Sequence, residues 1–187
     1  MFRDAATGKQ LNELAIIHAA QKGDREAFSH LVLFYREAVI NVVYRFCGDA
    51  AVAEDAAQIA FIRVWQHLPE YRHQTSFRSW LFRIAINAAL DMLRREKPTV
   101  TIDQVMLSST ERMDHALETR QTREIVQQAI IKLPEASRIV LVLREIQGMS
   151  YQEIADTLDI PVGTVMSRLN YARKHLLTVL QPVKEDL

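Results

Sequence analysis

The chain has 187 residues, 49% of them hydrophobic and 25% charged, with 23 Lys+Arg balanced by 23 Asp+Glu. That length suits one domain or two small ones, and low Gly and Pro with many Ala, Leu, Ile, Arg, Glu and Gln favours helix throughout. The single cysteine, Cys47, excludes an internal disulfide and a cysteine-based zinc cluster.

No stretch is apolar enough over sufficient length to span a bilayer. The start "MFRDAATGKQ" lacks the apolar core of a signal peptide. A cytoplasmic protein without membrane insertion is therefore expected.

Helical patterns dominate residues 11–97. "NELAIIHAAQKG" stops at Gly23. "DREAFSHLVLFYREAVINVVYRFCGD" opens on Asp24 as an N-cap and stops at Gly48. "VAEDAAQIAFIRVWQHL" stops at Pro69, and "SFRSWLFRIAINAALDMLRREK" is capped by Ser76 and stops before Pro98. Cys47, after an apolar run, reads as a small packing residue, with a reactive thiol as the alternative.

Residues 98–118 lose the periodicity and carry one basic residue against four acidic ones, which reads as an acidic linker. A second helical block occupies 119–182. "QTREIVQQAIIKL" stops at Pro134 and "PEASRIVLVLREIQG" at Gly148. Within the latter, "RIVLVLREI" is locally strand-like but sits inside a helical pattern. The fold class expected is all-α: two small helical domains joined by a linker.

The stretch "SYQEIADTLDIPVGTVMSRLNYARKHL" reads as two short helices around a tight turn. At about 100° per residue, counted from Pro161, Val165, Leu169, Ala172 and Leu176 share one side. Ser167, Asn170, Tyr171 and Lys174 lie opposite, with Gly163 and Thr164 at the N-terminal end. Small polar side chains of this kind can enter a major groove and meet base edges, and a helix N-terminus can receive a phosphate. Ile154, Ala155 and Leu158 form the packing face of the preceding helix, with Ala155 allowing a close crossing. The pattern is that of a helix-turn-helix. A solvated helical hairpin with no DNA partner fits the periodicity equally well.

The wording resembles extracytoplasmic-function (ECF) sigma factors of bacterial RNA polymerase. "LPEASRIVLVLREIQGMSYQEIADTLDIPVGTVMSRLNYARKHL" is similar to sigma region 4 almost end to end, most specifically in "GMSYQEIA" and "IPVGTVMSRL". "GDREAFSHLVLFY" resembles the start of region 2.1, "AEDAAQIAFIRVW" the region 2.2 helix, and "SFRSWLFRIAINAALDMLRRE" regions 2.3 to 2.4. The two matches stand in the right order and span nearly the whole chain. The resemblance implies one domain for the −10 element and one for the −35 element. It also implies core RNA polymerase (the β′ clamp helices and the β subunit), promoter DNA and an anti-sigma factor as partners.

Residue by residue, the resemblance puts Asp55, Gln58, Phe61 and Ile62 against the polymerase, with Ile59 replacing an expected acidic residue. The loop "HLPEYRHQTSF" matches the family loop that takes a flipped-out base. Tyr71 would stack there, and Arg72, His73 and Gln74 would bond base edges or phosphate. Trp80, Arg83, Asn87, Asp91 and Arg94 form a polar stripe at three- and four-residue steps. An ordinary solvent face is the alternative reading, and the resemblance turns Trp80, Arg83, Asn87 and Arg94 towards −10 DNA. Gly163, Thr164, Met166, Ser167, Arg168, Asn170, Tyr171 and Lys174 are the −35 candidates. Met166 cannot donate a bidentate bond to guanine, so an altered −35 preference is expected.

The six histidines form no HExxH or similar metal spacing, and no glycine-rich phosphate loop or base-activated nucleophile stands out. Neither enzymatic activity nor a cofactor is expected. Two competing readings are a stand-alone DNA-binding regulator dimerising through its N-terminal helices and a sigma mimic that sequesters an anti-sigma factor. The region 2 resemblance argues against the first, and the polar outward face of the last helix against the second.

Overall fold

The computed structural model describes residues 4–95 and 115–185, all helix and connecting turns with no strand among them. Helices α1 (Asp4–Gln21), α2 (Arg25–Cys47), α3 (Ala50–His67) and α4 (Phe77–Arg95) form an N-terminal bundle. Helices α5 (His115–Ile131), α6 (Glu135–Leu141), α7 (Tyr151–Leu158) and α8 (Val162–Glu185) form a second. Helix α1 begins before the expected residue 11 and α5 before the expected 119. Residues 98–114 of the expected linker lie outside the described residues.

Local chemistry sets the helix ends. Asp24 is extended, and its carboxylate accepts from the Glu26 and Ala27 amides at 2.9 and 3.1 Å. Asp49 does the same for α3, accepting from the Ala51 and Val52 amides. The Ser76 hydroxyl accepts from the Ser79 amide at 3.1 Å at the start of α4. Gly48 closes α2 at φ 80°, and a Cβ there would lie 2.7 Å from Ile131 Cδ1. The left-handed backbone favours glycine, whereas the Ile131 side-chain tip could move aside.

The buried stripe of α2 (Leu31, Tyr35, Val39, Val42, Val43 and Phe46) keeps helical spacing. Helix α3 meets its neighbours through buried Ala53, Ala56, Ala57 and Ala60, side chains small enough for close helix approach. Val165, Leu169 and Ala172 bury one face of α8 against α6 and α7, as the 100° spacing requires. Ser150 and Glu153 build a capping box on α7: the Ser150 hydroxyl accepts from the Glu153 amide, and the Glu153 carboxylate accepts from the Ser150 amide. Burial leaves the half-buried Cys47 thiol with a raised pKa, against the opposing hydrogen bond to the Asp49 carbonyl. It packs rather than reacts.

The strand-like "RIVLVLREI" is helical, but Val142–Ile146 widens into one π-turn after α6. The Leu143 carbonyl then accepts from the Met149 amide at 3.2 Å. Such a bulge inserts a residue into a helix and re-aims the downstream chain.

One hydrophobic core runs through both bundles, from Val39, Val42 and Phe46 of α2 to Ile139, Val142 and Leu143. Helix α2 touches α5, α6 and the π-turn, and α4 touches α7.

Candidate polymerase and nucleic-acid interfaces

Helices α2 and α3 flank an open groove of about 710 Å³. Asp55, Gln58, Phe61 and Ile62 all line it. Asp55 and Gln58 are exposed, and Ile62 is 51% exposed. Phe61 is buried and forms the floor. The opposite wall is Val32, Arg36 and Ile40 of α2, which sequence reasoning missed. Their only signal was an apolar spacing on α2 wider than one buried face needs. Phe28 and Trp65 pack at 4.8 Å between ring centres near one end. An apolar trough rimmed by charge of both signs suits a helical partner.

The loop after α3 is tied down at several points. The Gln21 side chain donates to the carbonyls of Leu68 and Tyr71, at 3.1 and 2.9 Å. Tyr71 differs from its expected role. Its ring is buried and stacks on Trp80 at 4.8 Å, and its hydroxyl donates to the Thr75 carbonyl at 2.6 Å. Burial, and next the Glu13 charge, push its pKa up to about 12. With one ring face already occupied, Tyr71 props the loop, and the expectation of a free stacking platform there does not hold. Arg72, His73 and Gln74 are exposed at the tip. His73 sits at φ 55° and meets His18 and Tyr71 edge-on. Trp80 is half-buried beneath this loop.

Along α4, Arg83, Asn87 and Arg94 share one stripe, and all three are exposed. Asp91 is 3.6 Å from Arg63 of α3. Arg83 is 3.3 Å from Asp159 at the end of α7.

On α8, Gly163, Met166, Ser167, Asn170, Tyr171 and Lys174 are exposed, with Thr164 half-buried at the N-terminal end. Met166 and Tyr171 are 53% and 50% exposed, large apolar groups on an otherwise polar face. The Ser167 hydroxyl donates to the Thr164 carbonyl at 3.0 Å and keeps acceptor capacity outward. The basic run is less free than it reads. Arg173 donates to Glu145 of the π-turn at 2.6 and 3.1 Å. His175 is half-buried, its Nδ1 unpartnered. Arg168 is half-buried beside Asn87, facing α4 rather than the outward stripe.

Residues 31–99 match the model of Sigma-70 region 2, and residues 123–176 match that of Sigma-70 region 4. The RNA polymerase sigma-H factor of Pseudomonas aeruginosa is 37% identical over 95% of this chain and 98% of its own length. The ECF RNA polymerase sigma-E factor of Escherichia coli is 34% identical over 94% of this chain and 97% of its own. The chain belongs to the ECF sigma factors.

Solved structures agree. CnrH, in complex with the cytosolic domain of CnrY, superposes with a TM-score of 0.71 at 28% identity, covering 90% of this chain and 96% of that one. The sigma factor RpoE of Bartonella quintana, in complex with the anti-sigma factor NepR, shares the fold at a TM-score of 0.68 and 21% identity, over 82% of this chain and 96% of that one. As an ECF sigma factor the protein directs promoter-specific transcription initiation with RNA polymerase. Its α1–α4 bundle holds the region 2 match and its α5–α8 bundle the region 4 match. Membership also explains a helix-turn-helix on a neutral chain: most of the phosphate-binding charge need not come from a subunit that meets DNA within a larger assembly. No helix among the described residues is long and apolar enough to cross a membrane.

Proposed function

We propose that this sigma factor divides its work among three surfaces. The α2–α3 groove seats the β′ clamp helices of core polymerase, with Asp55 and Gln58 as polar contacts and Phe61 and Ile62 as apolar ones. Helix α4 and the 71–76 loop read the −10 element through Arg72, His73, Gln74, Arg83, Asn87 and Arg94, with Tyr71 and Trp80 bracing the loop. The outward face of α8 reads the −35 element, chiefly through Ser167, Asn170, Tyr171 and Lys174, while region 4 rests on the β subunit. The functional domains are 11–97 and 119–182, and the chain acts in the cytoplasm without chemistry of its own.

The observation that carries this reading is the convergence of Asp55, Gln58, Phe61 and Ile62 on one open groove. An anti-sigma factor is included among the partners because two similar structures are complexes with a partner of that kind or a cytosolic domain. The test is run-off transcription with core polymerase and genomic promoter fragments. Defined start sites that depend on this chain are expected. Tight sequence-specific binding of duplex DNA by the chain alone, with no transcription, would favour the stand-alone regulator instead.

A further inference from the structure

The outward face of α8 is poor in guanine readers. Arginine and lysine make the bidentate bond to guanine O6 and N7, yet few of them are available here. Arg168 is half-buried beside Asn87 of α4. Arg173 commits two N–H groups to Glu145. Lys174 is exposed but lies about three turns into the helix, whereas a recognition helix meets base edges chiefly with its N-terminal residues.

The N-terminal half of α8 presents groups of another kind. Gly163 is exposed, and a Cβ built there would meet nothing within 4 Å. Packing within the chain therefore does not require a glycine at that place. Its effect is a bare backbone that can come close to the groove floor. The Ser167 hydroxyl gives its hydrogen to the Thr164 carbonyl at 3.0 Å, so only its lone pairs face outward. They accept from an amino group, adenine N6 or cytosine N4. Asn170, exposed one turn beyond Met166, suits adenine N6 and N7.

Met166 stands among these polar groups, 53% exposed, while Val165 and Leu169 beside it fill the core. A large apolar side chain at the reading end of a helix has one complementary feature in the major groove. That feature is the C5-methyl group of thymine, which no other base of the four carries. The unbranched, polarizable methionine chain can settle against it.

We propose that Met166 selects thymine in the −35 element by contact with its C5-methyl group. The contact rests on the assignment of α8 as the −35-reading helix. Asn170 follows Met166 by about 6 Å of helix rise, less than two base-pair steps of ~3.4 Å. The selected thymine and the adenine suited to Asn170 therefore lie within about two base pairs of each other, and this part of the element is built of A·T pairs.

The test uses holoenzyme assembled from core polymerase and the full-length chain. The probe is a promoter recovered by run-off transcription, its −35 segment randomised and the bound sequences counted. Wild type should enrich thymine at one position, and Met166→Ala should lose that preference there alone. Deoxyuridine, which is thymine without the methyl group, then replaces that thymine. Wild-type affinity should fall about fourfold, the worth of one buried methyl group. Met166→Ala should bind both DNAs alike. Met166→Leu keeps an apolar contact and should retain the discrimination.

Equal wild-type affinity for the thymine and deoxyuridine promoters would overturn the proposal. So would a methyl preference that survives Met166→Ala. Asn170→Ala in the same selection separates the two ideas. A −35 preference that depends on Asn170 but not on Met166 rejects the methyl contact alone. An absent −35 preference, or one indifferent to both residues, rejects the reading by α8 itself.

Discussion

Helices α4 and α8 are both proposed to read DNA, yet they are built differently. Helix α8 buries one face, Val165, Leu169 and Ala172, and leaves the other free. Helix α4 buries most of its circumference, including Phe77, Leu81, Phe82, Ala85, Ile86, Ala88 and Ala89. Its remaining polar stripe is contested: Asp91 answers Arg63, Arg83 answers Asp159, and Asn87 faces Arg168. A reading helix at the edge of a small bundle can stay exposed whatever the rest of the chain does. One at the centre of the packing keeps only a narrow polar stripe, Arg83, Asn87 and Arg94, in reach of solvent.

The two helices are tested first on stability. Phe82→Ala and Leu169→Ala each empty a fully buried site, one in each bundle. Losses of about 3–5 and 2–5 kcal/mol are expected. Both tryptophans, Trp65 and Trp80, lie in the first bundle. With one shared core, Leu169→Ala should shift the urea transition seen by tryptophan fluorescence as well as that seen by circular dichroism. A fluorescence transition that ignores Leu169→Ala would mean the bundles unfold independently.

Base reading sharpens the contrast next. Asn170→Ala should alter preference at −35, and Asn87→Ala at −10, each by about 1–3 kcal/mol if the contact is bidentate to a base. In vitro transcription from a matrix of −10 and −35 variants measures this. A uniform loss across all promoters would mark a phosphate contact instead.

Polymerase docking should be indifferent to either reading helix. Asp55→Ala with Gln58→Ala is expected to weaken assembly with core enzyme by about tenfold, the size of one good interface contact, with helix content unchanged. Titration of labelled core enzyme gives the affinity, and an unchanged value would remove both residues from the contact.

The smallest effect is the cap in front of the helix-turn-helix. Ser150→Ala should cost about 1 kcal/mol, read by thermal unfolding. Glu153, held below its ordinary value near 4.5 chiefly by the Ser150 backbone N–H, adds a pH dependence. Because its folded pKa is depressed, its contribution is present above the unfolded value and fades as pH falls through the folded one. Glu153→Gln should flatten that acid limb, and an unchanged limb would assign it to other carboxylates.

Much of this architecture was legible in the residues because its causes are local. Helical spacing comes from about 3.6 residues per turn, and Asp24, Gly48, Ser76 and Ser150 act within three or four residues of themselves. The outward face of α8 was readable for that reason, and the groove residues Asp55 and Gln58 through the resemblance to a family. Only tertiary structure decided the rest. Tyr71 is buried because Trp80, nine residues on, and Gln21, from another helix, hold its loop. Arg173 is occupied by Glu145 because the π-turn brings that carboxylate alongside α8. Across the bundles, Arg138 meets the Phe46 carbonyl, 92 residues away. No periodicity encodes a partner at that separation, since the partner a free side chain finds depends on which surfaces the folded bundles bring together.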